Sequence, residues 1–195
     1  MLKFYQWLLK LTKPFVEWSA SIHFAHYRKI NGKHYYQWRD QIEVGDVLLT
    51  KQKYELTNFF NPADFKHSAI YVGGADIKYV VEATGDGVIR TDLVTFLTSK
   101  DEVLIFRPTF LQQDRLRMVA TNALRKIGQG YDYMFEDGNG YYYCFELVVD
   151  SFRMECPEIR FKKIEVVPSK FAYTDVTFIE DTELWTNIID SRNGI

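Results

Sequence analysis

The sequence predicts an α+β fold, in which antiparallel strands and helices occupy separate stretches of the chain. Short apolar segments bounded by Gly and Pro turns follow one another between residues 47 and 107, and this pattern predicts strands. Apolar residues with helical spacing lie before them, over residues 2–19, and after them, over residues 112–127 and from Cys144 to about Phe152. Strands that follow strands, without a helix after each, indicate α+β rather than a parallel sheet.

Each predicted strand is bounded by residues that favour turns. The first follows Gly45-Asp46, the second ends at Gly73-Gly74, and the third and fourth form a hairpin around residues 84–87. The predicted strands are Val47–Thr50, His67–Gly73, Lys78–Ala83, Val88–Arg90 and Val103–Arg107, the last of which is ended by Pro108. One or two further strands are predicted within residues 160–180, around Pro168.

The predicted helices and turns complete the pattern. Thr91–Leu97 is predicted as a short capped helix, and Gly128 is the predicted stop of the helix over residues 112–127. Asn31-Gly32 is predicted as a turn. The helix over residues 2–19 contains Pro14, which would kink it or divide it into two pieces.

Length and composition predict a single globular domain over residues 1–195, with an aromatic, basic helical extension (1–40) and a core (41–180). The chain has 195 residues and is 47% hydrophobic, with 15 Phe and 13 Tyr. The net charge of −2 gives no reason to expect nucleic acid as a partner. No apolar run is long enough for a membrane-spanning helix, and no export signal is recognisable, so we expect a cytoplasmic protein.

The segment Tyr143-Cys144-Phe145-Glu146 places a cysteine where a Gly-rich loop meets the start of a helix. Free N–H groups and the helix dipole favour thiolate over thiol at such a position. The other cysteine, Cys156, precedes a proline and is interpreted as a small buried residue, and two cysteines are too few for a disulfide framework. The question is whether the chain supplies a base for Cys144.

His67 and Glu82 are the predicted partners of this thiol. If the strands that contain them pair antiparallel through the turn at residues 73–76, His67 lies nearly opposite residue 82 or 83. Glu82 could then accept a hydrogen bond from one ring nitrogen of His67 and leave the other nitrogen facing Cys144. The alternatives are a core cysteine, a histidine that bonds only the backbone, and a solvated glutamate.

Other residue types with chemical potential are weaker candidates. Tyr141, Tyr142 and Tyr143 could line a cleft or donate to a developing oxyanion, or they could pack in the core. The histidines at positions 23, 26 and 34 lack Cys or acidic partners at ligand spacing, so no metal site is predicted and no cofactor is expected. The segment from Asp137 to Gly140 is predicted as a turn rather than a calcium loop.

Four elements in this order resemble a known family. They are the segment from Gly45 to Thr50, the His67–Gly73 strand, Glu82 fifteen residues after His67, and a late Tyr-Cys-x-Glu-Leu. The set resembles the permuted papain-like hydrolases of the YiiX type, in the NlpC-type peptidase superfamily, which are distant relatives of lecithin retinol acyltransferase. The late segment from Val166 to Phe171 is also similar to one that follows the cysteine helix in that family.

The resemblance implies an antiparallel sheet or half-barrel packed against the helix that carries the nucleophile. It implies Cys144 as nucleophile, His67 as base and Glu82 as the orienting acid, with helix-start N–H groups in an oxyanion hole. The implied substrate is an amide in a peptide, an isopeptide or a cell-wall stem peptide. The family often has Ser after the cysteine, and this chain has Phe145, which we expect, with Tyr142 and Tyr143, to contact substrate.

Two alternative functions remain open from the sequence. A lipid-directed acyltransferase or thioesterase would use residues 1–19, a basic amphipathic helix with Phe4, Trp7 and Phe15, at a membrane surface. The other interpretation of this helix is that it packs on the core. A non-catalytic binding module on the same fold, or an interaction protein in which Cys144 is buried and inert, is the second alternative.

Overall fold

The computed structural model describes residues 29–52, 63–167 and 170–193. The predicted helix over residues 2–19, with the membrane contact considered for it, lies outside these ranges, as do residues 53–62 between the first two predicted strands. Along the described chain the elements are α1 (Gly32–Trp38), β1 (Val47–Lys51), β2 (His67–Gly73), β3 (Tyr79–Thr84), β4 (Gly87–Asp92), α2 (Leu93–Thr98), β5 (Glu102–Pro108), α3 (Gln113–Arg125), α4 (Cys144–Arg153), β6 (Ile164–Val167), β7 (Lys170–Ala172), α5 (Val176–Ile179) and β8 (Trp185–Asp190).

A six-stranded antiparallel sheet forms the centre of the fold, in the order β4-β3-β2-β1-β5-β8. β6 and β7 form a separate hairpin around residue 168. The predicted α+β class, with an antiparallel sheet against the cysteine helix, is confirmed. The predicted strands between residues 47 and 107 are all present, with ends that shift by one or two residues.

The sheet is covered on both faces, which explains the continuous apolar run in β1. Val47 and Leu49 belong to one buried cluster, which includes residues of α3 and α4. Leu48, which points to the other face, belongs to a second cluster with Trp38 of α1 and Phe96 of α2. A strand buried on both faces has no polar side to alternate with its apolar one.

Asn31-Gly32, predicted as a turn, is instead the start of α1. The Asn31 side chain accepts a hydrogen bond from the N–H of Lys33 at 3.0 Å, and the His34 ring accepts one from the N–H of Asn31 at 3.0 Å. Asn is among the strongest N-cap residues, so the same residue type that favours turns also starts helices. This part of the predicted 1–40 extension packs under the sheet through Ile30 and Trp38.

β8 lies beyond residue 180, where the core was predicted to end. It pairs with β5, with Ile189 opposite Ile105 and Trp185 opposite Pro108. Its segment, Trp-Thr-Asn-Ile-Ile-Asp, has too little apolar alternation to predict a strand by itself. The sheet therefore takes its last strand from the C-terminal part of the chain.

Candidate active site

Cys144 is the first residue of α4, and its side chain is 5% exposed. Tyr143 is the N-cap residue in an extended conformation and makes no side-chain capping bond. The first N–H groups of a helix have no partner within the helix. Because the Tyr143 side chain does not cap them either, they surround the thiol with partial positive charge.

The structure joins His67 of β2 to Glu82 of β3 by a hydrogen bond of 2.7 Å between Nε2 and Oε2. The prediction that residue 82 or 83 lies nearly opposite His67 is off by one or two residues, because Glu82 lies opposite Ala69. His67 and Ala69 are two apart on one strand and share a face, so the contact is a diagonal one within reach of long side chains.

Thr91 of β4 holds the same carboxylate from the other side. Its hydroxyl donates a hydrogen bond to Oε1 of Glu82, while His67 engages Oε2. Burial alone would raise the pKa of Glu82, but the hydrogen bond and charge of His67, with the Thr91 hydroxyl, lower it to about 2. Glu82 is therefore ionised, and each of its two carboxylate oxygens accepts a hydrogen bond. Sequence reasoning missed Thr91, which only the β3–β4 pairing brings next to Glu82.

Cys144 lies close to the His67 ring. Burial would lower the pKa of His67, but the interactions of its ring with Cys144 and Glu82 outweigh burial and raise the pKa to about 9. Because Nε2 is bonded to Glu82, Nδ1 is the ring nitrogen left for the thiol. The thiol also donates to the carbonyl of Lys66 at 3.7 Å. The structure thus brings Cys144, His67 and Glu82 together.

Two of the three predicted substrate contacts lie in the core, and this is a correction. Tyr143 is 2% exposed and its hydroxyl accepts a hydrogen bond from the N–H of Tyr173 at 2.9 Å. Phe145 is 3% exposed, and its ring stacks on Phe178 at a centroid distance of 6.3 Å. The residue after Cys144 is turned about 100° around the helix, which directs Phe145 away from the thiol. Tyr142, half-buried beside the Lys126 ammonium, stays a predicted contact.

Tyr131 is a residue near the thiol that sequence reasoning missed. It forms a parallel bridge with Tyr142, two residues before Cys144. Burial raises the pKa of its phenol well above the ordinary value, and the neighbouring charge of Cys144 raises it further. The phenol therefore keeps its proton. In the sequence it is one tyrosine among 13, with no pattern to distinguish it.

Glu146, in the first turn of α4, is a buried carboxylate beside the loop that precedes Cys144. Its Oε2 atom is buried and has no hydrogen-bond partner among the described residues. Burial, together with the charges of Asp132 and Asp137, raises the pKa of Glu146 to about 7.

The described residues contain no group of three or more His, Cys, Asp or Glu side chains placed to hold a metal ion. Of the three histidines considered, His34 stacks on Trp38 at 5.4 Å and serves the α1 cap, and the other two lie outside the described ranges. None of the helices in the described ranges has the length and apolar character needed to cross a membrane.

Comparison with known proteins gives the family. The model of the permuted papain-like amidase enzymes, the YaeF/YiiX or C92 family, matches residues 41–177. The chain belongs to this family.

A solved structure agrees with this assignment. The metalloprotein YiiX from Escherichia coli O157:H7 has a TM-score of 0.63 and 17% sequence identity, over 77% of this chain and 98% of that one. At this identity the similarity shows the fold. No curated protein matches the chain. The family is described as permuted papain-like amidase enzymes, in agreement with the resemblance found in the sequence.

Proposed function

We propose that this member of the YaeF/YiiX family is a cysteine-dependent hydrolase of amide bonds, with Cys144 as nucleophile, His67 as acid and base, and Glu82 as the orienting carboxylate. The observation that carries the proposal is the position of His67, which bonds Glu82 at 2.7 Å and directly follows Lys66, whose carbonyl accepts the hydrogen bond of the Cys144 thiol at 3.7 Å. A nucleophile, a base and a group that orients the base are what covalent catalysis by a thiol requires.

The proposed reaction begins from a Cys144 thiolate paired with the His67 imidazolium. The thiolate attacks the amide carbonyl, and the negative charge that develops on oxygen is stabilised by the N–H of Cys144 and the hydroxyl of Tyr131. His67 then gives its proton to the leaving amine, which departs and leaves a thioester on Cys144. Water, deprotonated by His67, attacks the thioester and releases the acid product.

Alkylation with iodoacetamide, followed by mass spectrometry, tests the thiolate–imidazolium pair. Cys156 is a second buried, free cysteine in the same molecule and serves as the internal control. We expect Cys144 to react at least about tenfold faster than Cys156 at about pH 6, because only a paired thiolate is a strong nucleophile there. His67→Ala should remove this difference. Equal rates for the two thiols of the unaltered protein would contradict the proposal.

The substrate class is tested with a panel of amides and acyl esters. The leading proposal is a peptide, an isopeptide or a cell-wall stem peptide, and Cys144→Ser should abolish its hydrolysis. The alternative is a lipid acyl group taken at a membrane surface. Flotation of the protein with anionic liposomes, with and without residues 1–19, separates the two, since the lipid alternative requires binding that depends on those residues.

A further inference from the structure

Asp175, the N-cap residue of α5, is a buried carboxylate that binds a distant part of the chain. It is 2% exposed. One oxygen, Oδ2, accepts hydrogen bonds from the N–H groups of Asp64 and Phe65, each at 2.8 Å. The other oxygen, Oδ1, accepts from the N–H of Val176 at 3.0 Å. Charge-assisted bonds of this kind are stronger and shorter than those between neutral groups.

The segment that Asp175 binds leads directly into the site. Residues 64–66 immediately precede His67, and the Lys66 carbonyl accepts the hydrogen bond of the Cys144 thiol at 3.7 Å. Phe65 is fully buried in the same cluster as Cys144. The N–H of Lys66 bonds the carbonyl of Thr50 at 3.1 Å, which fixes the far side of the segment to β1. Asp175 and Thr50 thus hold the segment from two directions.

We propose that Asp175 is a positioning residue of the active site, which sets the distance between the start of β2 and Cys144 and thereby the position of the His67 ring relative to the thiol. This inference rests on the proposed function. Through Asp175, the region after the cysteine helix would help to set the geometry of the site. This region contains β6, β7 and α5. Asp175 acts through His67 and does not touch the reacting atoms.

The bonding pattern shows why an aspartate is needed. Three N–H groups converge on its two oxygens. Asparagine has almost the same shape, but one of the two positions becomes an N–H₂ donor. In either orientation at least one backbone N–H then faces a donor instead of an acceptor, so Asp175→Asn must move the segment or lose a bond. Because asparagine and aspartate have almost the same size, the substitution should not disturb the packing around residue 175.

The experiment measures the alkylation rate of Cys144 against pH, with Cys156 as internal reference, in the full chain. We expect Asp175→Asn to slow alkylation of Cys144 about tenfold at about pH 6 and to leave Cys156 unchanged. Asp181→Asn is the matched control. Asp181 lies in the same region and accepts one backbone hydrogen bond, from Leu184 at 3.2 Å, so this variant should react as the unaltered protein does.

A double-mutant cycle separates positioning from general support of the fold. If Asp175 acts through His67, Asp175→Asn has no further effect on alkylation in the His67→Ala background. A loss of the same size in both backgrounds, or no loss in Asp175→Asn, overturns the inference. If wild-type Cys144 reacts no faster than Cys156, it is the proposed function that fails.

A second variant covers the case in which Asp175→Asn does not fold. Serine at position 175 can still cap α5, but its shorter side chain cannot reach the N–H groups of both Asp64 and Phe65. Asp175→Ser should therefore keep the fold and show the same selective loss at Cys144. If Asp175→Ser folds and its Cys144 is alkylated at the same rate as in the unaltered protein, the inference is overturned.

Discussion

Both oxygens of the Glu82 carboxylate are engaged, and this fixes its charge and its direction. The pKa of Glu82 is lowered from 4.5 to about 2, so the stability that its ionised form contributes is complete above pH 4.5 and lost as the pH falls toward 2. The pKa of His67 is raised from 6.5 to about 9, so its contribution is complete below pH 6.5 and lost as the pH rises toward 9. The pair therefore stabilises the fold most between pH 4.5 and 6.5.

Thr91→Val tests whether the second bond to Glu82 serves the chemistry. Valine keeps the shape of threonine and removes the hydroxyl that donates to Oε1. We expect kcat to fall roughly 10- to 150-fold, the equivalent of about 1.5–3 kcal/mol for a hydrogen bond to a charged group. The pKa of Glu82 should rise, which moves the acidic limb of the pH–rate profile to higher pH.

Thr91→Ser is the control for this prediction, because serine retains the hydroxyl and loses only a methyl group. It should restore most of the rate and the original acidic limb. If valine and serine lower the rate equally, the methyl packing of Thr91 is what the site needs, and the hydroxyl has no part in orienting Glu82.

Tyr131→Phe tests the proposed oxyanion donor. The substitution removes a phenol hydroxyl that stays protonated next to Cys144. Loss of one oxyanion donor lowers kcat by roughly 10²–10³-fold, and we expect a fall of this order with little change in KM. Alkylation of Cys144 should be unchanged, because the phenol is proposed to stabilise the transition state of acyl transfer and not the thiolate.

Tyr141→Phe is the matched control, since Tyr141 lies in the same loop and its side chain is exposed. It should hydrolyse the amide at the original rate. A Tyr131→Phe variant that hydrolyses the amide as fast as Tyr141→Phe would remove Tyr131 from the mechanism while leaving the thiol and His67 in place.

At the scale of elements, the start of α4 depends on Glu146 as well as on Cys144. The pKa of Glu146 is raised from 4.5 to about 7 by burial and by neighbouring carboxylates. A raised pKa means that the stabilising, protonated form is complete below pH 4.5 and lost as the pH rises through about 7. The contribution of Glu146 to the stability of the fold is therefore largest under mildly acidic conditions.

Glu146→Gln should remove this dependence. Glutamine has the size of glutamate but carries no charge near Asp132 and Asp137. We expect the free energy of unfolding of the variant, relative to the unaltered protein, to increase between pH 4.5 and 7, as measured by urea denaturation at several pH values. Glu158→Gln, at an exposed position, is the control and should show no such trend.

The main residues of the site can be predicted from the sequence, but their arrangement in space cannot. The strand of His67 and the helix of Cys144 follow from local patterns, and so does the contact of His67 with Glu82. The register does not, because β3 begins at Tyr79, opposite Gly73, so the turn is longer than the one predicted at residues 73–76. Phe145 is next to Cys144 in the chain yet faces the core.

Tyr131, Thr91 and Asp175 reach the site only through tertiary packing, which no local pattern encodes. Tyr131 lies beside Tyr142 through a parallel bridge, and Thr91 meets Glu82 through the β3–β4 pairing. Asp175 binds residues more than a hundred positions earlier in the chain. Each is a polar residue of a common type, so its function depends on which segments the fold brings together.

At the scale of the whole molecule, β8 connects the end of the described chain to the helix of the nucleophile. Trp185, its first residue, packs against four phenylalanines within 6.4 Å between ring centroids: Phe110, Phe152, Phe161 and Phe178. Phe152 belongs to α4, and Phe178 belongs to α5 and stacks on Phe145. The aromatic cluster thus ties β8, α4 and α5 into one core.

Trp185→Ala should therefore destabilise the whole domain rather than fray its end. The indole N–H has no hydrogen-bond partner among the described residues, so the loss is one of packing. We expect the free energy of unfolding to fall by about 3–5 kcal/mol, in a single transition, because removal of a buried Trp side chain leaves a large cavity. Urea denaturation followed by far-UV circular dichroism measures this change in the free energy of unfolding.

Tyr36→Ala is the control, because the Tyr36 side chain is 65% exposed. It should change the free energy of unfolding by less than about 0.5 kcal/mol. If Trp185→Ala unfolds in two separate transitions, with the Cys144 region stable in the second, then β8 is an appendage and not part of the cooperative core.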